Sequence, residues 1–232
     1  MTKTLVVAEM AARDLSRRRG ALTLLFLVPL AFYFARRDMT GQAVRLVGLG
    51  LGWVVSTAAV FSGTAAKVME PRLRLAGYRT RHLVGGRLTA LVTVALAAGA
   101  VYLAITLLDQ DIQRPGAVAL GLVLTVAVAV PLGLLMAALL PRELEAMLVL
   151  LTVFGLQMLL DPTTTSARLL PFWSLRELGT YAIDMADAGY LRRGALHGGT
   201  VAVTLTVLFA VMSSARLRRR PHLRLHPASS DA

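Results

Sequence analysis

Six long apolar stretches dominate this sequence of 232 residues, and none of them carries an acidic or basic side chain away from its ends. They cover residues 21–35, 46–66, 88–108, 117–140, 146–160 and 195–215. A helix that rises about 1.5 Å per residue needs roughly 20 residues to cross about 30 Å of hydrocarbon. Four stretches reach that length; the first and fifth need flanking residues, a thinner bilayer or shielding by neighbouring helices. The pattern predicts an all-α integral membrane protein with six transmembrane helices within residues 21–215.

The composition supports the same fold class. Hydrophobic residues make up 56% of the chain, and its mean hydropathy is +0.65. A soluble domain of this length could not remove so much apolar surface from water in one core. The chain has no cysteine, which excludes disulfide bridges and thiolate metal sites.

The positive charge follows the expected membrane topology. The net charge is +12, and 17 of the 25 basic residues lie in segments 1–20, 67–87, 141–145 and 216–232. Cytoplasmic connections carry such an excess, so we expect these segments and both termini in the cytoplasm. Arginine accounts for 23 of the 25 basic residues, a usage that we associate with GC-rich bacteria, and we expect the bacterial cytoplasmic (inner) membrane. The basic tail 216–232 is expected to contact lipid headgroups, and no nucleic acid is expected as a partner.

The N-terminal segment 1–20 has a helical pattern with one apolar side. Val7 and Leu15 lie on that side, opposite Glu9 and Arg13. We therefore predict an amphipathic helix that lies along the cytoplasmic membrane surface.

The external segment 161–194 contains a second amphipathic pattern, at 172–188. Its apolar stripe consists of Leu175, Leu178, Ala182 and Met185. Glu177 lies on the polar side, and Phe172 and Trp173 are expected at the level of the lipid headgroups. This helix should cover the outer mouth of the bundle or dip into the outer leaflet, without crossing the membrane.

The connection at 67–87, which we call the elbow, is predicted to be structured. Pro71 cannot continue a preceding helix, so we expect a short helix at about 71–76 and a second one that leads into the third span. Three apolar residues alternate with its arginines: Leu73, Leu75 and Tyr78. Such side chains need a surface that covers them.

The chemistry that the chain lacks limits its function. Proton-coupled transporters place ionisable groups well inside their spans, and the sequence has none there. The phosphate-binding pattern G-x-x-x-x-G-K-[ST] is also missing, because no glycine precedes Lys3 or Lys67. The chain should therefore not hydrolyse ATP by itself. The candidates for lining a translocation pathway are Ser56, Thr57 and Gln157.

Gly48 and Gly52 form a small-residue pair one helical turn apart. Such a pair lets helix backbones approach closely. We expect it to serve packing within one bundle, with a dimer seam as the alternative.

The missing chemistry favours a membrane subunit that depends on a separate energy source. Two other functional classes are alternatives to it. A secondary transporter or a channel would share the helical bundle. A membrane phosphotransferase is the other, because the run Asp184 to Arg192 resembles the D-x-x-D-G-x-x-A-R motif of membrane CDP-alcohol phosphotransferases. Ala188 and Leu191 replace the glycine and alanine of that motif, and no second acidic pair follows before Asp231, so the ligand set for a metal is incomplete.

The elbow also resembles part of a known family. The run from Glu70 to Leu88, EPRLRLAGYRTRHLVGGRL, is similar to the loop between the second and third spans of ABC-2-type (type V) ABC exporter permeases. In that family an acidic residue opens the loop and Gly-Arg/Lys-Leu closes it. The inner amphipathic helix, the six spans and the external helical segment near Leu170 extend the similarity over nearly the whole chain.

The resemblance implies a membrane subunit that pairs with a second permease subunit, as a homodimer or a heterodimer. It also implies separate ATP-binding cassette ATPase subunits, which bind ATP and magnesium, whereas this chain holds no cofactor. The elbow would be the coupling helix, with its ATPase-facing residues being Glu70, Arg72, Arg74, Gly77, Tyr78 and Arg79. A pathway of apolar groups and hydroxyls suits export of an amphipathic or lipid-linked substrate, which leaves drugs, antibiotics, glycolipids, polysaccharides and haem as candidate cargo.

Overall fold

The computed structural model describes residues 2–17, 19–161, 164–184 and 186–218, and within these ranges the chain consists of helices and their connections. The helices are α1 (Lys3–Arg17), α2 (Arg19–Phe34), α3 (Thr40–Leu75), α4 (Thr80–Asp109), α5 (Pro115–Leu139), α6 (Glu143–Leu159), α7 (Trp173–Ile183) and α8 (Ala188–Arg218). A short 3₁₀ helix, Ser166–Leu169, lies between α6 and α7. Of the basic tail predicted at 216–232, residues 216–218 continue α8 and the rest lies outside the described ranges.

Four helices of the described part are long and apolar enough to cross a membrane: α3, α4, α5 and α8. The chain is therefore a multi-pass α-helical membrane protein. The helices α2 and α6 have 16 and 17 residues. At about 1.5 Å per residue they cover about 24 Å and about 25 Å, so both are as short as the first and fifth apolar stretches predicted.

The contact between α3 and α5 is the most extensive of the bundle. At its centre the Ser56 hydroxyl donates a hydrogen bond of 3.1 Å to the carbonyl oxygen of Ala129. A Cβ atom added to Gly133 would lie only 2.1 Å from the carbonyl oxygen of Ser56. The two backbones are therefore in direct contact, which only a glycine at position 133 permits.

The glycine pair on α3 packs within the chain, as expected. A Cβ atom on Gly48 would lie 2.6 Å from the side chain of Leu175, and one on Gly52 would lie 3.1 Å from the ring of Phe172. Phe172 and Trp173 are 1% and 6% exposed, so other parts of the chain cover both rings, and their position at the headgroup level stays a prediction. The space over the glycines admits the Phe172 ring into the core, where other helices cover it.

The external helix α7 is shorter than predicted, and α8 already begins at Ala188. Leu175, Leu178 and Ala182 of the predicted stripe are buried, whereas Met185 lies outside the described residues. Glu177, predicted on the polar side of the helix, is also buried. Glu177 is buried because Arg193 of α8 pairs with it: Arg193 Nε donates a hydrogen bond of 2.8 Å to Glu177 Oε2.

The elbow does not contain the separate short helix predicted at 71–76. Instead, α3 continues through Pro71 to Leu75. A proline inside a helix removes one backbone hydrogen bond, so other contacts must hold the turn. Glu70 supplies them, because its carboxylate binds Arg87 of α4 and Arg216 of α8.

Polar contacts sort the connections into two ends of the bundle. At one end, which we call the elbow end, Lys67 donates to the carbonyl oxygen of Leu140 at 3.0 Å. At the opposite end, Arg37 Nε donates to Asp109 Oδ2 at 2.8 Å, and this hydrogen bond raises the pKa of Arg37. Arg114 there donates to the carbonyl oxygen of Tyr181 at 2.9 Å. The connections alternate between the ends, as an up-and-down bundle requires.

The sidedness of the two ends is open to a labelling test. Position 76 is exposed at the elbow end and position 165 at the opposite end, and the chain has no native cysteine to give background. We expect a membrane-impermeant maleimide to label Thr165→Cys in intact cells and Ala76→Cys only after permeabilisation. Labelling of Cys at position 76 in intact cells would reverse the predicted topology.

The α3–α5 contact predicts a position that tolerates no side chain. Gly133→Ala should destabilise the bundle by about 1–3 kcal/mol, because the methyl group overpacks a backbone contact. The matched control is Gly155→Ala on α6, where a Cβ atom meets nothing within 4 Å. The measurement is the thermal midpoint of the purified chain in detergent, followed by size-exclusion chromatography. Equal midpoints for the two variants would contradict the packing.

Candidate functional site

The end of α3 has a geometry that fixes the shape of the elbow. Gly77 has a φ of +79°, the left-handed conformation that glycine adopts without strain. Its N–H donates to the carbonyl oxygen of Arg74, and the N–H of Tyr78 donates to that of Leu73, both at 3.0 Å. This pair of bonds is a Schellman motif, which ends α3 and satisfies two of its free carbonyl groups. The elbow is therefore a defined turn and not a loose connection.

Beyond this turn the elbow presents an exposed basic surface. We call it the elbow surface, and its exposed residues are Arg72, Arg74, Leu75, Ala76, Gly77, Arg79 and Arg81. The exposed fraction of Leu75 is 91%, so a large apolar side chain stands among the arginines without cover from the described part of the chain. Arg74 Nη1 donates to Thr80 Oγ1 at 3.0 Å and bridges the turn.

The helix α1 covers the other side of the elbow. Lys3 Nζ donates to the carbonyl oxygen of Gly77 at 2.9 Å and lies 5.4 Å from the centre of the Tyr78 ring. A Cβ atom on Gly86 would lie 2.7 Å from the carbonyl oxygen of Thr4, so α1 and α4 touch through their backbones. The elbow and α1 therefore form one packed unit.

A cavity of about 370 Å³ lies between α1, α3 and α4. Its wall includes Met10 and Ala11 of α1 together with Met69 and Leu73 of α3, and Arg87 borders it. Leu73 thus faces a cavity that α1 also lines, and Tyr78 lies next to Lys3 of α1. Of the three apolar elbow residues that needed a covering surface, Leu75 is the one left exposed.

A buried ion cluster lies directly under the elbow. Glu70 and Arg87 are 3% and 6% exposed, and Arg87 Nη1 donates to Glu70 Oε1 at 3.2 Å. Arg216 of α8 donates to the other carboxylate oxygen, Oε2. One carboxylate therefore joins α3, α4 and α8.

The six residues assigned to ATPase coupling fall into three groups. Arg72, Arg74, Gly77 and Arg79 are exposed on the elbow surface, and Tyr78 is half-buried beside Lys3. Glu70 lies inside the chain instead of on its surface, because the two guanidinium groups hold it there. In this structure Glu70 positions the elbow and offers no surface for a partner.

The three pathway candidates occupy different parts of the bundle. Ser56 is fully buried at the α3–α5 contact, where its hydroxyl holds the two helices together. The buried hydroxyl of Thr57 has no hydrogen-bond partner among the described residues. Gln157 lies near the opposite end, where it accepts a hydrogen bond of 3.3 Å from the N–H of Phe172 and lines a second cavity.

One residue of the acidic run that resembles a phosphotransferase motif, Asp187, caps the start of a helix. Asp187 precedes α8, and its carboxylate accepts a hydrogen bond from the N–H of Gly189, as an N-cap residue does. Asp184 ends α7, and Met185 between them lies outside the described residues.

No protein-family model matches this chain, and no curated protein matches it either. The class that the fold defines is a multi-pass α-helical membrane protein with a packed, basic elbow at one end.

Sequence reasoning identified the elbow but missed the ion cluster beneath it. Arg87 and Arg216 were each counted as ordinary basic residues of a cytoplasmic segment. The available signal was Glu70, the only acidic residue in the arginine-rich segment 67–87. A lone carboxylate among several guanidinium groups is expected to pair with more than one of them.

The cluster predicts a large difference between two neutralised glutamates. Glu70→Gln leaves Arg87 buried without its charged partner, and removal of one member of a buried pair costs about 3–5 kcal/mol. Glu9→Gln is the control, because Glu9 pairs with Arg13 on an exposed face, where such a pair is worth about 0.3–0.5 kcal/mol. The thermal midpoint should fall clearly for Glu70→Gln and hardly for Glu9→Gln. A Glu70→Gln variant as stable as the Glu9→Gln variant would show that the cluster carries no net stability.

Proposed function

We propose that this chain is the membrane subunit of an ATP-binding cassette exporter. The observation that carries the proposal is the elbow surface, in which an almost fully exposed leucine stands among arginines at a rigid helix end. An exposed apolar anchor with a basic rim is typical of a protein interface. A partner that binds there supplies the ATP hydrolysis for which this chain has no phosphate-binding loop.

The ion cluster offers a route from that interface into the bundle. Glu70 lies on the same helix as the elbow surface and is bound to α4 and α8. A partner that moves the elbow therefore pulls on two further helices through charged groups. This connection supports a role in energy coupling better than a role as a simple anchor.

The proposal includes six membrane crossings, with α2 and α6 as the short ones. Glu143 at the start of α6 accepts a hydrogen bond from Thr64 near the elbow end, and Gln157 near its other end contacts Phe172. Tyr33 near the end of α2 binds Asp109 at the opposite end. Both helices thus run between the two ends of the bundle. An even number of crossings brings both termini to the cytoplasmic side of a bacterial inner membrane.

The complete transporter would contain two permease subunits, identical or different, and two ATPase subunits. Its substrate would be an amphipathic or lipid-linked molecule taken from the cytoplasm or the inner leaflet, because apolar side chains and hydroxyl groups dominate the spans.

Site-specific photo-crosslinking tests the proposed partner. A photoreactive amino acid at position 75 in native membranes should capture a chain that contains the phosphate-binding pattern G-x-x-x-x-G-K-[ST], identified by mass spectrometry. Position 144 is the control, since Leu144 is also an exposed apolar residue near the elbow end, with 70% of its surface accessible. Capture of ATPase chains from position 144 alone, or from neither position, would contradict the docking surface.

Charge reversal tests the basic rim of the same surface. Arg74→Glu combined with Arg79→Glu should lower capture from position 75 at least tenfold, because a like charge replaces each rim charge. Arg142→Glu serves as the control, an exposed arginine near the same end but outside the elbow. Both variants should reach the membrane at the wild-type level, and equal capture in both would mean that the elbow surface is an ordinary solvated loop.

A further inference from the structure

A second cavity, of about 350 Å³, lies at the opposite end of the bundle, away from the elbow. Residues from α3, α6 and α7 line it, together with Arg36 from the connection after α2. Its volume is near the lower end of the range of about 300–1,000 Å³ that small-ligand pockets cover. It therefore suits a headgroup-sized molecule.

Among the described residues, three arginines and no acidic residue line this cavity. Arg45 Nη2 donates to Thr180 Oγ1 at 2.8 Å, while its buried Nε has no hydrogen-bond partner among the described residues. Arg176 lies 3.7 Å from Glu177, but that carboxylate also binds Arg193 at 2.8 Å. The three guanidinium groups thus give the cavity a basic wall.

The rest of the cavity wall is mostly apolar, and it is continuous with the exposed apolar face of α6. Leu46 and Leu49 of α3 lie on one side, and Met158 of α6 lies on another. Met158 is 55% exposed, and its neighbour Leu159 is 84% exposed. An alkyl chain on the exposed face of α6 can therefore reach the cavity mouth without leaving an apolar surface.

We propose that this cavity binds the phosphate of an anionic phospholipid headgroup, with the acyl chains of the lipid along α6. Guanidinium groups bind phosphate oxygens with charge-assisted hydrogen bonds, often two at a time. The amides of Gln42 and Gln157 also line the cavity and supply further polar contacts to a headgroup. The site does not depend on the docking of an ATPase at the elbow, and its test needs no transport activity.

Native mass spectrometry of the purified chain in a non-ionic detergent provides the test. The chain is titrated with dioleoyl-phosphatidylglycerol, with dioleoyl-phosphatidylcholine and, in a third arm, with glycerol 3-phosphate. We expect the chain to retain phosphatidylglycerol. Neither phosphatidylcholine nor glycerol 3-phosphate should displace it. Equal retention of both lipids overturns the proposal, and displacement by glycerol 3-phosphate assigns the site to a soluble anion instead.

Two variants locate the retained lipid. Arg36→Gln combined with Arg45→Gln should weaken phosphatidylglycerol binding at least tenfold. The charge-matched control is Arg142→Gln combined with Arg192→Gln, two exposed arginines outside the cavity. An equal loss in both double variants would mean that the lipid responds only to the net charge.

Leu49→Trp provides a variant that keeps all the charges. Its larger side chain fills the cavity, so it should abolish retention while the thermal midpoint stays within a few degrees of the wild type. Retention of the lipid by a folded Leu49→Trp variant would place it elsewhere on the protein.

Discussion

The direct backbone contact between α3 and α5 at Ser56 and Gly133 is the constraint on which the rest of the bundle depends. In a bilayer, lipid tails are as apolar as the side chains that face them, so helices associate through close packing and hydrogen bonds. A glycine at position 133 allows that packing, and the Ser56 hydroxyl adds a hydrogen bond at the same place. The crossing fixes α3, and α3 carries polar regions near both of its ends.

The length of α3 explains where buried charge is tolerated. With 36 residues it measures about 54 Å at about 1.5 Å per residue, which exceeds a hydrocarbon core of about 30 Å. Its charged residues are Arg45, Lys67, Glu70, Arg72 and Arg74, and all of them lie outside the apolar stretch 46–66. The Glu70 cluster is therefore shielded by protein rather than by lipid, where an unpaired carboxylate would cost far more. Near its other end, Arg45 borders the arginine-lined cavity.

The sequence was sufficient to predict the helical membrane fold and the short second and sixth helices, because apolar length is a local property. It did not predict features that depend on distant residues. Phe172 is buried because Gly52 leaves room for its ring, and Glu177 is buried because Arg193 covers it. Glu70 and Arg216 are 146 positions apart, and no periodicity links them. The helix α3 also continues through Pro71, next to Glu70, so the break expected from the proline does not occur.

The covering of the elbow by α1 changes what the elbow can do. The sequence pattern placed three apolar residues there without a surface to cover them, yet α1 brings Lys3 next to Tyr78 and lines the same cavity as Leu73. Because Lys3 binds the carbonyl oxygen of Gly77 and Thr4 touches Gly86, the N-terminal helix follows any motion of the turn. The helix α3 that leads into this turn is also joined to α8, through Glu70 and Arg216. The proposed partner at Leu75 would therefore touch a turn that is bonded to α1 and packed on α4, and the Glu70 cluster extends these contacts to the last helix.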